Sequence, residues 1–242
     1  MASSTGGVPD PPWWELARRV EPRSTLSRDV IVTAAVRVLD EAGLDGFSMR
    51  RVAAALGTGA ASLYWHVSDK EQLIHLVLDR VMGELELPEP DPSRWQEQIH
   101  EFARDGRAMF GRHRDLALAS LGRIPMGPSL IRIVEWFLAV LRGAGIPDRA
   151  ATWFPDLLAL VGAAQAVEDH LASGGDQAMM EAMGGYLAAL PADRFPNIAA
   201  VVGDLTAGGS DDRFEFAVEL LIRGLATYVE SDAEPDLGQR RL

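Results

Sequence analysis

Arg50, Ser62, Tyr64, His66 and Lys70 put a guanidinium, two hydroxyls, an imidazole and an ammonium into one short stretch of the chain, SMRRVAAALGTGAASLYWHVSDKE, residues 48–71. From residue 48 to residue 68 it carries no carboxylate. Cations and neutral hydrogen-bond donors without acids suit phosphate oxygens and the edges of bases. Catalytic chemistry finds less support. The histidines (His66, His75, His100, His113 and His170) are scattered, with no i, i+4 pair of the metal-binding kind. There is no G-x-S-x-G elbow, no phosphate loop and no cysteine nucleophile. The expectation is a binding protein, not an enzyme, with neither cofactor nor metal.

The stretch positions its donors through two short helices. Ser48 can cap the first, which runs to Leu56. Gly57 stands where a left-handed C-terminal residue is wanted. Thr58 and Gly59 complete a turn, and Ala60 to His66 make a helix barely two turns long. Two short helices around a glycine-bearing turn form a helix-turn-helix, whose second helix is sized for the DNA major groove. Ser68-Asp69-Lys70-Glu71 reads as an S-x-x-E capping box that opens a linking helix, 71–87. Upstream, Ser27 and Asp29 start a helix with Val30, Ile31, Ala34, Ala35, Val38, Leu39 and Ala42 on one face, stopped by Gly43.

A net charge of −12 argues globally against nucleic acid. Locally, six basic residues stand against five acidic ones between Arg23 and Lys70, and DNA affinity depends on a few placed cations, not on the total. With 242 residues, 48% of them hydrophobic, a sizeable core can form. The start MASSTGGVPDPPWWE is no secretory signal, and no apolar run approaches the roughly 18 residues of a spanning helix. A cytoplasmic location, with no membrane partner, is the expectation.

The fold class expected is all-α: a mobile tail at 1–26, a helix-turn-helix domain at 27–70, a helical ligand-binding and dimerisation domain at 71–230, and a tail at 231–242. In the first tail, Arg18, Arg19 and Arg23 could form a minor-groove arm; the competing reading is a tail that packs through Trp13 and Trp14. The segment PEPDPS, 88–93, marks a boundary, and beyond it the pattern is helical except for a Gly- and Ala-rich loop expected at 191–210. The helices 129–142 and 148–172 are apolar on more than one face, which places them centrally in a bundle or shares them with a partner. A homodimer with an internal cavity follows, against the alternative of a monomeric bundle.

The layout resembles the TetR family of bacterial repressors, and its C-terminal part resembles the tetracycline-repressor-like type. The resemblance rests on Leu63-Tyr64-Trp65-His66-Val67 followed by Lys70, and on Leu221-Ile222-Arg223-Gly224. It implies double-stranded operator DNA and a small-molecule effector as partners. By position, Arg50 matches a guanine-reading arginine and Ser62 a base-contacting threonine. Tyr64, Trp65, His66 and Lys70 match residues on or supporting the phosphate-facing surface. Met49 stands where the family's tetracycline-binding members have a phosphate-binding threonine. Ala60 and Ala61 replace glutamine and proline, so the operator should differ; alanine meets a thymine methyl but cannot hydrogen-bond an adenine. With Thr58 and Gly59 in the turn, these residues are the candidate DNA contacts. On the ligand side, Ser120 falls on the metal-binding histidine and Phe102 on a drug-holding asparagine; Glu84 falls, more loosely, on a histidine. Magnesium-tetracycline is therefore not the expected effector. Candidate pocket walls are Phe102, Met109, Leu116, Leu121, Trp136, Phe137, Trp153, Leu157 and Val161, with Glu168 as a polar candidate. Such a lining favours a hydrophobic or aromatic effector.

Overall fold

Ser27 opens the first helix as its spacing predicts. Its hydroxyl accepts the Val30 N–H at 3.2 Å and so satisfies an amide that the helix itself cannot. In the computed structural model of the chain, which describes residues 26–123, 127–172 and 176–230, this helix is α1 (Arg28–Gly46), with its path broken at Gly43. It is followed by α2 (Met49–Ala55), α3 (Ala60–Leu63) and α4 (Lys70–Met82). A 3-10 turn at Pro92–Arg94 leads into α5 (Trp95–Arg112), α6 (Leu116–Ser120), α7 (Pro128–Gly143) and α8 (Asp148–Ala172). The last three are α9 (Asp176–Ala188), α10 (Pro196–Thr206) and α11 (Ser210–Glu230). The described residues contain no strand, so the fold is all-α. The expected tails, with Arg18, Arg19, Arg23, Trp13 and Trp14, lie outside the described residues, Leu26 apart.

α1 to α3 close over Ile31, Ala35, Phe47, Val52 and Leu63, all essentially inaccessible. The turn between α2 and α3 ends α2 in a Schellman arrangement: the Gly57 N–H bonds the Ala54 carbonyl at 3.1 Å and the Thr58 N–H bonds that of Ala53 at 3.0 Å. Gly57 reaches this geometry at φ 66°, where a Cβ is disfavoured by roughly 1–2 kcal/mol. Gly57→Ala should lower stability by about 1 kcal/mol, read as a thermal-melting shift of a few degrees. An unchanged melt would contradict the strain argument.

The second part is a bundle. α8 packs on α5, α7 and α11, and α4 lies between α1 and α7. Phe102, Trp136 and Phe137 form an aromatic knot with ring centroids 4.8–5.5 Å apart, and the Trp136 indole donates to the Pro88 carbonyl at 2.8 Å. That bond ties the proline-rich segment to the core.

Four expectations are corrected. The residue that caps α4 is Asp69, not Ser68: its carboxylate accepts the Gln72 N–H at 2.7 Å, while Gln72 Oε1 accepts the Ser68 N–H at 2.6 Å. The box is shifted one place: aspartate and glutamine satisfy the Gln72 and Ser68 N–H groups, and Glu71 is left for another partner. α4 stops at Met82, since Gly83 and the approach to Pro88 end the hydrogen-bond ladder, although Leu85 remains buried. The reading helix α3 ends at Leu63, with Tyr64, Trp65 and His66 in a following turn. The loop expected at 191–210 contains α10, which pairs with α9 and buries none of its own residues within the chain.

Candidate nucleic-acid interface and effector cavity

Arg50 and Arg51 are neighbours in sequence but face different tasks. The Arg51 side chain turns back and donates to the Gly46 carbonyl at 3.1 Å. Arg50 is exposed at the start of α2, with no hydrogen bond or ion pair among the described residues. Its five donors are free for a ligand.

On the same helix-turn-helix, Ala61, Tyr64 and Trp65 are exposed, and Ser62, Thr58, His66 and Ala60 are half-buried. Tyr64 and Trp65 expose 54% and 57% of their surface, unusual for rings that could have turned into a core. Gly59 is exposed as the N-cap of α3, with no side-chain cap on that helix. The Lys70 ammonium sits 5.8 Å above the Phe47 ring at the start of α4. Met49 is placed differently from its sequence expectation. It is 6% exposed and packed in the core, because the first turn of α2 directs it inward, so its side chain is not on the reading surface. Asp69 beside Lys70 is held below the ordinary carboxylate range by the Gln72 backbone N–H, more than offsetting its slight burial.

The linking helix α4 is held at both ends. Arg80 pairs with Asp29 and reaches Thr33 on α1. Toward the bundle, Asp79 is 7% exposed, and its Oδ1 accepts the N–H groups of Ser129 and Leu130 at 3.0 and 3.4 Å, capping α7 from outside. Arg123, after α6, forks onto Glu71 at 3.0 and 3.2 Å. This guanidinium holds Glu71 below the usual range.

Between α4, α5, α7, α8 and α11 lies an apolar cavity of about 100 Å³. Of the pocket residues read from sequence, Phe102, Met109 and Phe137 line it. The others do not. Trp136 is buried behind Phe102; Leu116 is 1% exposed and belongs to the core. The Ser120 hydroxyl is turned back onto the Ala117 carbonyl at 2.7 Å, and Leu121 is half-buried beside it. Trp153 and Leu157 are 52% and 47% exposed on the outer face of α8, Val161 is half-buried, and Glu168 is exposed and bonded to Gln165. Sequence reading missed Leu158, Gly162 and Phe214, whose faces are set by how α8 and α11 pack.

The profile of the bacterial regulatory proteins of the tetR family matches residues 31–77, and that of the tetracyclin repressor-like C-terminal domain matches residues 87–229. The chain belongs to the TetR family. Apo ActR from Streptomyces coelicolor is 41% identical over 88% of this chain and all of its own, with a TM-score of 0.81. The same protein in complex with actinorhodin is 43% identical over 84% of this chain and 97% of its own, with a TM-score of 0.79. The transcriptional repressor DrrR1 from Streptomyces coeruleorubidus is 34% identical, covering 89% of this chain and 84% of its own. The chain is therefore a DNA-binding transcriptional regulator of the TetR family with a ligand-binding C-terminal domain, not an enzyme. Its helix Asp148–His170 is long and apolar enough to cross a membrane by composition, but its inner face packs through Ala151, Phe154 and Leu158 inside the bundle.

Proposed function

We propose that this TetR-family protein is a homodimeric repressor that releases a palindromic operator when a hydrophobic or aromatic effector enters its C-terminal domain. The observation that carries the reading is an Arg50 side chain without a partner among the described residues, on the same helix-turn-helix as exposed Tyr64 and Trp65, a unit tied through α4 to a bundle with an apolar cavity. The DNA contacts would be Arg50, Thr58, Gly59, Ala60, Ala61, Ser62, Tyr64, Trp65, His66 and Lys70, with the Met49 backbone alone available. The dimer reading is supported by apolar side chains left outside: Trp153, Leu157 and Leu160 on α8, and Phe216 and Leu220 on α11, each roughly half exposed or more. A helix pair from each protomer would bury them against its copy. Two such protomers would set their α3 helices about 34 Å apart, one turn of duplex.

Footprinting the protein on its own upstream region, followed by a release assay, tests this. Protection of a two-fold symmetric site that weakens steeply with salt is expected. The ActR complex makes actinorhodin the first compound to try for release, alongside magnesium-tetracycline, which is expected to leave the complex intact because Ser120 offers no imidazole. Salt-indifferent binding, or release by magnesium-tetracycline, would contradict the reading.

Coupling is expected to run partly through Arg123 and Glu71. Glu71 is well exposed, so the pair is a weak one. Arg123→Ala should leave operator affinity nearly unchanged and raise the effector concentration for half-release by about two- to fivefold. An unaltered release curve would remove this contact from the path.

A further inference from the structure

A second cavity, of about 440 Å³, opens where the DNA-binding unit meets the bundle. Leu44 and Asp45 from the end of α1 form one wall, and α5, α6 and α8 form the others. It falls within the roughly 300–1,000 Å³ typical of small-molecule sites, which the bundle cavity does not. Arg107 and Phe110 line both cavities and so stand as the partition between them.

The lining has an apolar side and a polar one. Phe110, Leu118 and Val167 give a surface for a flat ring. Most of the charge is already matched. Arg107 pairs with Asp169 at 2.9 Å and Asp211 at 2.8 Å, and its guanidinium lies 4.9 Å from the centre of the Phe214 ring. His113 bonds Asp40 at 3.1 Å and approaches Glu84 at 3.5 Å. Asp115 accepts the Leu44 N–H at 2.9 Å. Two basic groups keep capacity. Arg114 is half exposed, and its one ion pair among the described residues is Nε at 4.0 Å from Asp115, which leaves its terminal nitrogens without a charged partner there. His170 is 54% exposed and has, among the described residues, only a 3.5 Å approach to Asp115. Against these stand two carboxylates: the exposed Asp45, with no partner among the described residues, and Asp115, whose ion pairs among the described residues are the long ones to Arg114 and His170.

We propose that this junction cavity is a ligand site for a planar aromatic carboxylate, its ring on Phe110, Leu118 and Val167 and its carboxylate received by Arg114 and His170. A molecule there touches the reader directly through Leu44 and Asp45, and its effect on DNA rests on the functional reading above. Binding itself does not rest on it.

The test is calorimetric titration of the full chain with anthraquinone-2-carboxylate and with its neutral carboxamide. A Cβ at Gly111 meets open space, as does one at Gly162, and these two glycines line the junction and bundle cavities respectively. Gly111→Leu therefore fills the first and Gly162→Leu the second. Saturable carboxylate binding is expected, weakened about tenfold or more by Gly111→Leu. Arg114→Ala should weaken the carboxylate about tenfold while leaving the carboxamide unchanged. Asp45→Asn should tighten the carboxylate by removing a repulsive charge. Arg114 and Asp45 lie at the surface, so those two arms remain readable if Gly111→Leu does not fold. No saturable binding, binding lost only through Gly162→Leu, or carboxylate and carboxamide responding alike to Arg114→Ala each overturns the site. Binding that follows Gly111 and Arg114 without any release of DNA supports the site and removes only its link to operator release.

Discussion

Replacing Arg50 by alanine should abolish specific operator binding while the proposed dimer stays intact. A guanidinium that forks onto a guanine contributes about 1–3 kcal/mol of discrimination. A dimer uses two of them, so the loss is about 2–6 kcal/mol, or roughly 30-fold to more than 10⁴-fold in affinity. The fold should not notice, because Arg50 is exposed and bonds to nothing among the described residues. Fluorescence anisotropy on the footprinted site gives the affinity, and analytical ultracentrifugation gives the assembly state. Residual non-specific binding should keep its salt dependence, since Tyr64, His66 and Lys70 remain. Arg51→Ala is the matched comparison: it removes a tie to the Gly46 carbonyl and should cost about 1 kcal/mol of stability, with operator binding kept. Equal binding by Arg50→Ala and the wild type would end the role assigned to Arg50.

Asp79→Ala should be strongly destabilising, although the residue is polar. α7 begins at Pro128, and its N-cap, Gly127, has no side chain to cap it. Asp79, one helix away, supplies the acceptor and a negative charge at the positive end of α7. The fit is close: a Cβ on Gly127 would lie 2.1 Å from the carboxylate oxygen. Removing the carboxylate leaves buried N–H groups without a partner, a cost of about 2–4 kcal/mol. For a chain of this size the melting temperature should fall by about 5–15 °C. Asp79→Asn keeps an acceptor but loses the charge, and should recover part of the loss. Because the same contact fastens α4 to α7, Asp79→Asn should also blunt effector-driven release. A melt within a degree of wild type for Asp79→Ala would show that α7 needs no external cap.

These two residues mark how differently parts of the molecule can be read. Arg50 lies beside a local signature: Ser48 caps, Gly57 turns, and the periodicity of one short helix decides what is exposed. Asp79 has no such signature. It sits among Leu76, Val77, Leu78 and Val81 in a helix pattern that would suit a surface acid equally well, and its partners are fifty residues away. The effector side fails for the same reason. Helices α7 and α8 are apolar nearly all round, so sequence could not say which rings face the cavity, which the core and which a second chain. Trp153 and Leu157 turned out to be on the outside, while Leu158 and Gly162 face in.

What the sequence determined by itself is what short-range chemistry determines: an all-helical chain, the helix-turn-helix with its donors, and the family. Caps, turns and the 3.6-residue period act over a few residues, so their signals survive in a linear reading. Tertiary structure alone decided that Arg51 is occupied and Arg50 free among the described residues, that Asp79 caps a distant helix, and that Arg123 grips Glu71. It also decided that α1, α5, α6 and α8 enclose a cavity at the domain junction. Each of these depends on the angle at which two helices cross, and that angle is set by the whole core packed between them.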